Sequence, residues 1–183
     1  ISKFTKFEEI LGGRVKTLHP IIHAGILAKS KDDLDKLKKT QYSLIDMVVV
    51  NLYPFEKTIT KKNCSFNLAI ENIDIGGPTL LRASAKNHQR VTVLTDPSDY
   101  DQILNEIEKK GDVQSKTRLR LAKKVFSVVS RYDSLIANYL NKYTQGDDCL
   151  LDENISIDAK ELSKLRYGEN PHQKAKLYQV TNP

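Results

Sequence analysis

The sequence predicts an α/β fold. Two short β-branched runs, Met47 to Leu52 (MVVVNL, bounded by Pro54) and Val91 to Leu94, read as buried strands. Helical patterns lie before, between and after them. Strands that alternate with helices rather than segregating are the signature of a parallel sheet with helices packed on it.

The elements follow in chain order. Thr5 and Glu8 have the spacing of a Thr-x-x-Glu capping box and predict a short apolar helix stopped by Gly12-Gly13. The polar stretch Arg14–Pro20 cannot be regular helix through its proline. Asp32 to Lys39 reads as a solvated helix with Leu34 and Leu37 inward, and after the first strand Ser65 to Asn72 reads as another helix. Asp74-Ile75-Gly76-Gly77-Pro78 interrupts the pattern, and Pro78 suits the first turn of a helix over Thr79 to Asn87. Beyond the second strand, Asp96-Pro97 caps and starts a helix to about Lys110, closed by Gly111. From Ser115 to Tyr143, apolar residues recur at Val125, Val129, Tyr132, Ile136, Tyr139 and Tyr143, the spacing of one long helix or two in series. Residues 145–160 are acidic and turn-rich, like a linker, and a new segment then opens with LRYGENPHQ and a strand-like Ala175–Val180.

Composition narrows the classes. Of 183 residues 39% are apolar, enough for a core, and the 28% that are charged are well mixed. No run approaches the ~18 apolar residues of a membrane span. No basic-then-apolar leader opens the chain, so nothing points to secretion, and Cys64 and Cys149 read as reduced thiols of a cytoplasmic protein. A chain that begins at Ile1 and ends at Pro183 just past a strand looks cut at both ends. The net charge of +6 invites an anionic partner, although the lysine runs 31–39 and 109–124 also read as solvated helix faces.

Three loop-like patches carry candidate chemistry. In Arg14-x-Lys16-Thr17-x-His19-Pro20, two cations and a hydroxyl follow a Gly-Gly turn and suit a phosphate or carbonyl oxygen. Asn51 and Tyr53 stand at the C-terminal end of the better strand, where open α/β sheets gather ligands. Gly76-Gly77 before a helix would expose N–H groups at its positive end. Inside that helix Arg82 and Lys86 stand four apart, a like-charge pair that predicts an anion, a pocket or a partner beside Lys86. Each patch alone also reads as solvated loop, turn or helix surface. His19 and His23 have a metal-like spacing, but Pro20 intervenes and no third ligand is near, so no metal site is expected. No GxGxxG, P-loop or nucleophile elbow occurs.

Four strings in this order, GGRVKTLHP (12–20), VVVNLYPF (48–55), IDIGGPTLLRASAKNH (73–88) and LRYGENPHQ (165–173), closely resemble the bifunctional AICAR transformylase/IMP cyclohydrolase family. The similarity runs from about Phe4 to Tyr178. It implies a methylglyoxal-synthase-like, three-layer parallel-sheet domain over 1–145, incomplete at its N-terminus. A linker over 146–161 and the start of a second α/β domain, the transformylase, over 162–183 would follow. The activity implied is the dehydrative ring closure of formyl-AICAR to IMP, with no redox cofactor or metal. The second domain would formylate AICAR with 10-formyltetrahydrofolate.

By the same resemblance, Lys16 and Lys86 act on the reacting carbonyl, while Tyr53 and Asp74 position and relay protons. Arg14 and Thr17 hold the phosphate, Asn51 and Gly76 lie near the base, and Gly77 and Arg82 belong to the binding set. Arg166 and Tyr167 match AICAR contacts of the transformylase. The implied partners are purine nucleotides, not nucleic acid or membrane, and the implied assembly is a homodimer in the cytoplasm. The family's N-terminal strand-helix-strand unit, with its phosphate loops, is missing before Ile1, so this stretch by itself is expected to be poorly active and weakly stable. Lys6 and Glu8 stand where relatives usually have Gly and Pro. A non-catalytic nucleotide sensor of the same fold is the rival reading, and the full Lys16/Tyr53/Asp74/Lys86 set with LRYGENPHQ argues against it. An RNA-binding module has only the charge and scattered tyrosines behind it.

Overall fold

Two parallel strands and the helices around them build the first part of the molecule. The computed structural model describes residues 1–40, 42–144 and 157–180. The chain divides into two units, Ile1–Ile136 and Ala137–Pro183.

In the first unit, β1 (Met47–Val49) pairs with β2 (Thr92–Leu94) in parallel, with Val48 opposite Val93, and Val50 N–H extends the pairing to Leu94 O at 3.0 Å. β2 is buried throughout, as expected. β1 is not: only Val48 is buried, while Met47 and Val49 are 39% and 50% exposed. Among the described residues β1 has one neighbouring strand, so its other edge and two of its three side chains stay open.

The helices are α1 (Ser2–Thr5), α2 (Pro20–Leu27), α3 (Lys31–Lys39), α4 (Phe55–Ile59), α5 (Phe66–Glu71), α6 (Gly76–Lys86), α7 (Tyr100–Lys110) and α8 (Ser115–Thr144). The last is a single helix of 30 residues, the first of the two arrangements that its apolar spacing allows. The expected capping box at Thr5 is absent. Thr5 ends α1 instead, its hydroxyl donating to Ile1 O and accepting from Phe7 N–H while Lys6 turns left-handed. A capping box does occur at Ser30 and Asp33, opening α3. The predicted stop at Gly12-Gly13 is a 3-10 turn, with φ of 65° and 90°, that brings Ile10 back against Val15.

Two apolar clusters hold the unit. Leu81 and Ala85 of α6 pack with Val93, Leu94, Ile103, Leu121, Val125 and Val129. Ile22 and Ile26 of α2 pack with Val48 and Val91. Phe55, 1% exposed, meets the Tyr132 ring edge-on at 6.2 Å and fixes α4 on α8.

In the second unit, β3 (Ala159–Lys164) and β4 (Lys176–Val180) form an antiparallel pair with an irregularity between Glu161 and Ser163. Part of the linker-like stretch, 145–156, and Cys149 with it, lies outside the described residues.

Candidate active site

A cleft of about 820 Å³ opens at the C-terminal end of β1. Its wall brings together Arg14, Lys16 and Thr17 from the loop before α2, Asn51 and Tyr53 from the loop after β1, and Asp74, Gly76 and Gly77 from the entry to α6. All three predicted patches therefore meet in one place, where strand carbonyl ends and a helix N-terminus converge.

Local chemistry places each group. Asp74 is the keystone of the third patch. Its Oδ1 accepts from Gly77 N–H at 2.7 Å, its Oδ2 from Tyr53 N–H at 3.4 Å, and its own N–H donates to the Tyr132 hydroxyl at 2.8 Å. Tyr132 also donates to Asn72 O at 3.4 Å, and burial raises its phenol pKa. The glycines fit because nothing larger does. A Cβ on Gly76 would lie 2.5 Å from Thr17 Oγ1, and one on Gly77 would lie 2.5 Å from Asp74 Oδ2. Gly77 N–H, expected free for an anion, is thus already taken by Asp74. Asn51 donates from Nδ2 to the Tyr100 hydroxyl at 3.2 Å, and Tyr53 is 57% exposed on the rim.

The cations are not free either. Arg14 grips Glu71 through both Nη2 and Nε, and Lys16 Nζ lies 2.8 Å from Glu9 Oε2. The hydrogen bond and charge of Glu9 raise the Lys16 pKa, and those of Lys16 lower the Glu9 pKa. Glu9, Glu71 and Tyr100 did not stand out in the sequence, and Tyr132 did so only as an inward position of the long helix.

Lys86 and Arg82 do not reach this cleft. Lys86 is the last residue of α6, ten residues beyond Gly76, which is about 15 Å along the axis. Its side chain is exposed rather than facing the pocket, because Leu81, Ser84 and Ala85 occupy the buried face. Arg82 lies with its guanidinium over the Phe126 ring, 5.7 Å from the centroid. The two histidines serve their helix: His19 Nδ1 accepts from Ile21 N–H, and His23 Nδ1 faces His19 O at 3.2 Å. Among the described residues no three His, Cys, Asp or Glu side chains group as metal ligands do.

In the second unit, Arg166 and Tyr167 are exposed on the loop between β3 and β4. Gln173 organises that loop, its carbonyl accepting from Gly168 N–H at 3.0 Å and its Oε1 from Asn170 N–H at 2.9 Å.

Residues 84–183 match the family model of the AICARFT/IMPCHase bienzyme. The chain belongs to that family. Residues 1–79 match the MGS-like domain, so the α/β part that carries the cleft is MGS-like. Relatives in this bienzyme family include the bifunctional purine biosynthesis protein PurH of Caldicellulosiruptor saccharolyticus, 54% identical across 100% of this chain and 36% of that protein. PurH of Halalkalibacterium halodurans is 52% identical across 98% of this chain and 35% of its own length. The chain thus spans about a third of the length of these curated relatives. The crystal structure of ForH superposes with a TM-score of 0.63 at 34% identity, over 74% of this chain and 72% of that one.

Proposed function

We propose that the cleft closes the pyrimidine ring of formyl-AICAR, releasing water and leaving IMP. One observation carries this reading: three segments distant in sequence deliver Arg14, Lys16, Thr17, Asn51, Tyr53, Asp74, Gly76 and Gly77 to a single cleft. In the reaction the carboxamide nitrogen bonds to the formyl carbon, and the formyl oxygen collects protons and departs as water. That demands two groups held within attack distance, and a donor at the oxygen that gains charge. Lys16, held 2.8 Å from Glu9 Oε2, is the donor. Asp74 and Tyr53 position the reacting end and relay protons, Asn51, Gly76 and Gly77 border the base, and Arg14 with Thr17 receives the phosphate. Lys86 and Arg82 are not among the residues that line the cleft and are assigned no step in it.

The wider reading follows the bienzyme relatives. Residues 1–145 form the cyclohydrolase domain and 162–183 belong to the start of the transformylase, while the linker expected over 146–161 ends inside β3, which already begins at Ala159. There Arg166 and Tyr167 contact AICAR, and 10-formyltetrahydrofolate supplies the formyl group. The protein is a cytoplasmic homodimer acting on purine nucleotides, not on nucleic acid or membranes. Among the described residues no helix is long and apolar enough to cross a membrane.

The test is IMP formation from formyl-AICAR by the protein carrying this chain, followed by absorbance. Loss of a positioned acid costs on the order of 10²-fold or more, so Lys16→Met is expected to lower kcat by that much, and Lys86→Ala by far less. Binding of IMP without any ring closure would make the protein a nucleotide sensor instead.

A further inference from the structure

The cleft is lined by two cations and three carboxylates, and each carboxylate holds a donor that a ligand would use. Asp74 holds Gly77 N–H, Glu9 holds Lys16, and Glu71 holds Arg14. The first is tied into the fold through Tyr132, but the Glu71 pair is not. Both its side chains are more than half exposed, at 65% for Arg14 and 54% for Glu71. Glu71 ends the short helix α5, three residues before Asp74, and reaches across the cleft mouth to a partner 57 residues away in sequence. Arg14 meets it with Nε and Nη2 on separate oxygens, the two-point fork with which guanidinium grips a phosphate.

We infer that Glu71 is a place-holder whose carboxylate occupies the phosphate seat on Arg14 and is exchanged for the substrate's phosphate when it binds. The inference rests on the reading of Arg14 as the phosphate anchor. An exposed ion pair is weak, so the exchange is cheap for a dianion that makes the same two bonds with more charge. A ligand without a phosphate gains nothing to replace the lost pair. Glu71 therefore sets a threshold in favour of nucleotides over nucleosides, and it keeps Arg14 extended toward the cleft while the site is empty. It is a specificity-determining residue acting through Arg14, not a catalytic one.

The experiment is calorimetric titration of inorganic phosphate, and separately of IMP, into the protein carrying this chain and its variants Glu71→Gln, Arg14→Met and the double variant. Circular dichroism checks each fold. Relieved of its competitor, Glu71→Gln is expected to bind both ligands about two- to fivefold more tightly, the range an exposed ion pair is worth. The gain is expected to vanish in the Arg14→Met background. Formyl-AICAR turnover in Glu71→Gln is expected to show a lower KM with kcat unchanged. Binding that is unchanged or weaker in Glu71→Gln overturns the place-holder. A gain of the same size with and without Arg14 also overturns it, since that reports only the lost negative charge. If wild type binds IMP and leaves formyl-AICAR untouched, the cyclohydrolase reading fails while the exchange is still measured. If no folded variant binds either ligand, both fail.

Discussion

At the Lys16 ammonium, 2.8 Å from Glu9 Oε2, a hydrogen bond and a charge act in the same direction and raise the pKa above its ordinary value. A raised pKa keeps the protonated form dominant up to a higher pH, and that form is the one a donor needs. Glu9→Ala removes both causes. The alkaline limb of the kcat–pH profile is therefore expected to move to lower pH, while the acid limb stays in place. A profile that does not move would show that Lys16 is not the titrating donor. Loop composition points to Arg14, Lys16 and Tyr53, because cations after a Gly-Gly turn and a phenol at a strand end are conspicuous in a sequence, whereas Asp74 enters only through the family resemblance. Their counter-ions were not legible, since Glu71 lies 57 residues from Arg14 and only the folded chain joins them. Lys86 shows a second limit. Spacing of four fixes the face of a helix that two cations share, but it does not say which end of that helix meets the ligand.

One helix pair shows how an element is held by charge as well as by apolar contact. Lys124 of α8 reaches Asp96 and Asp99, both at 2.6 Å, and Arg120 reaches Asp99 at 2.8 Å and Gln102 at 2.9 Å. These bonds tie the start of α7 to α8, above the apolar contacts of Ile103 with that helix. Hydrogen bonding from Lys124 holds the Asp96 carboxyl down at about 2. Burial pushes Asp99 up, but Lys124 and Arg120 outweigh it and leave its pKa below the ordinary value. Both carboxylates thus titrate lower folded than unfolded, so the stability they contribute is present above about pH 4 and is lost as pH falls through their lowered pKa values, about 2 for Asp96. Lys124→Ala leaves Asp99, 8% exposed, with Arg120 alone. It is expected to cost about 1–3 kcal/mol in urea unfolding at pH 7. The gap from wild type is expected to narrow below pH 4. A gap that persists at pH 2 would assign the cost to packing of the lysine stem. Helix boundaries here were readable because Asp96-Pro97 and Gly111 are local signals, with Gly111 left-handed at φ 75°. The ion pairs between helices were not, for want of any local signal.

Over the first unit as a whole, the two ends of the parallel sheet do different work. The C-terminal end of β1 opens on the cleft, and the N-terminal end is closed by Arg90. Its guanidinium donates to Ala28 O at 2.8 Å, to Gly25 O at 2.6 Å, to Ile26 O at 3.0 Å and to Asp46 at 2.5 Å. Asn87 adds bonds to Ile26 O and Ala28 O. These are the carbonyls that the end of α2 leaves without helical partners, so Arg90 with Asn87 satisfies a helix terminus, and Arg90 joins it to the strand entry. The alternation of strands and helices announced an α/β unit. This closure was hidden, because an arginine beside a strand reads as surface until its acceptors, more than 40 residues away, are brought to it. Arg90→Met keeps most of the stem packing and removes the donors. Hydrogen bonds from a charged group are worth about 1.5–3 kcal/mol, so the melting temperature is expected to fall by roughly 5–10 °C. Since Arg90 and the cleft lie at opposite ends of β1, IMP affinity measured well below the transition is expected to match wild type. A drop in affinity as well as in melting temperature would mean that the α2 end and the Arg14–Thr17 loop before it move together, making the closed end of the sheet part of the site.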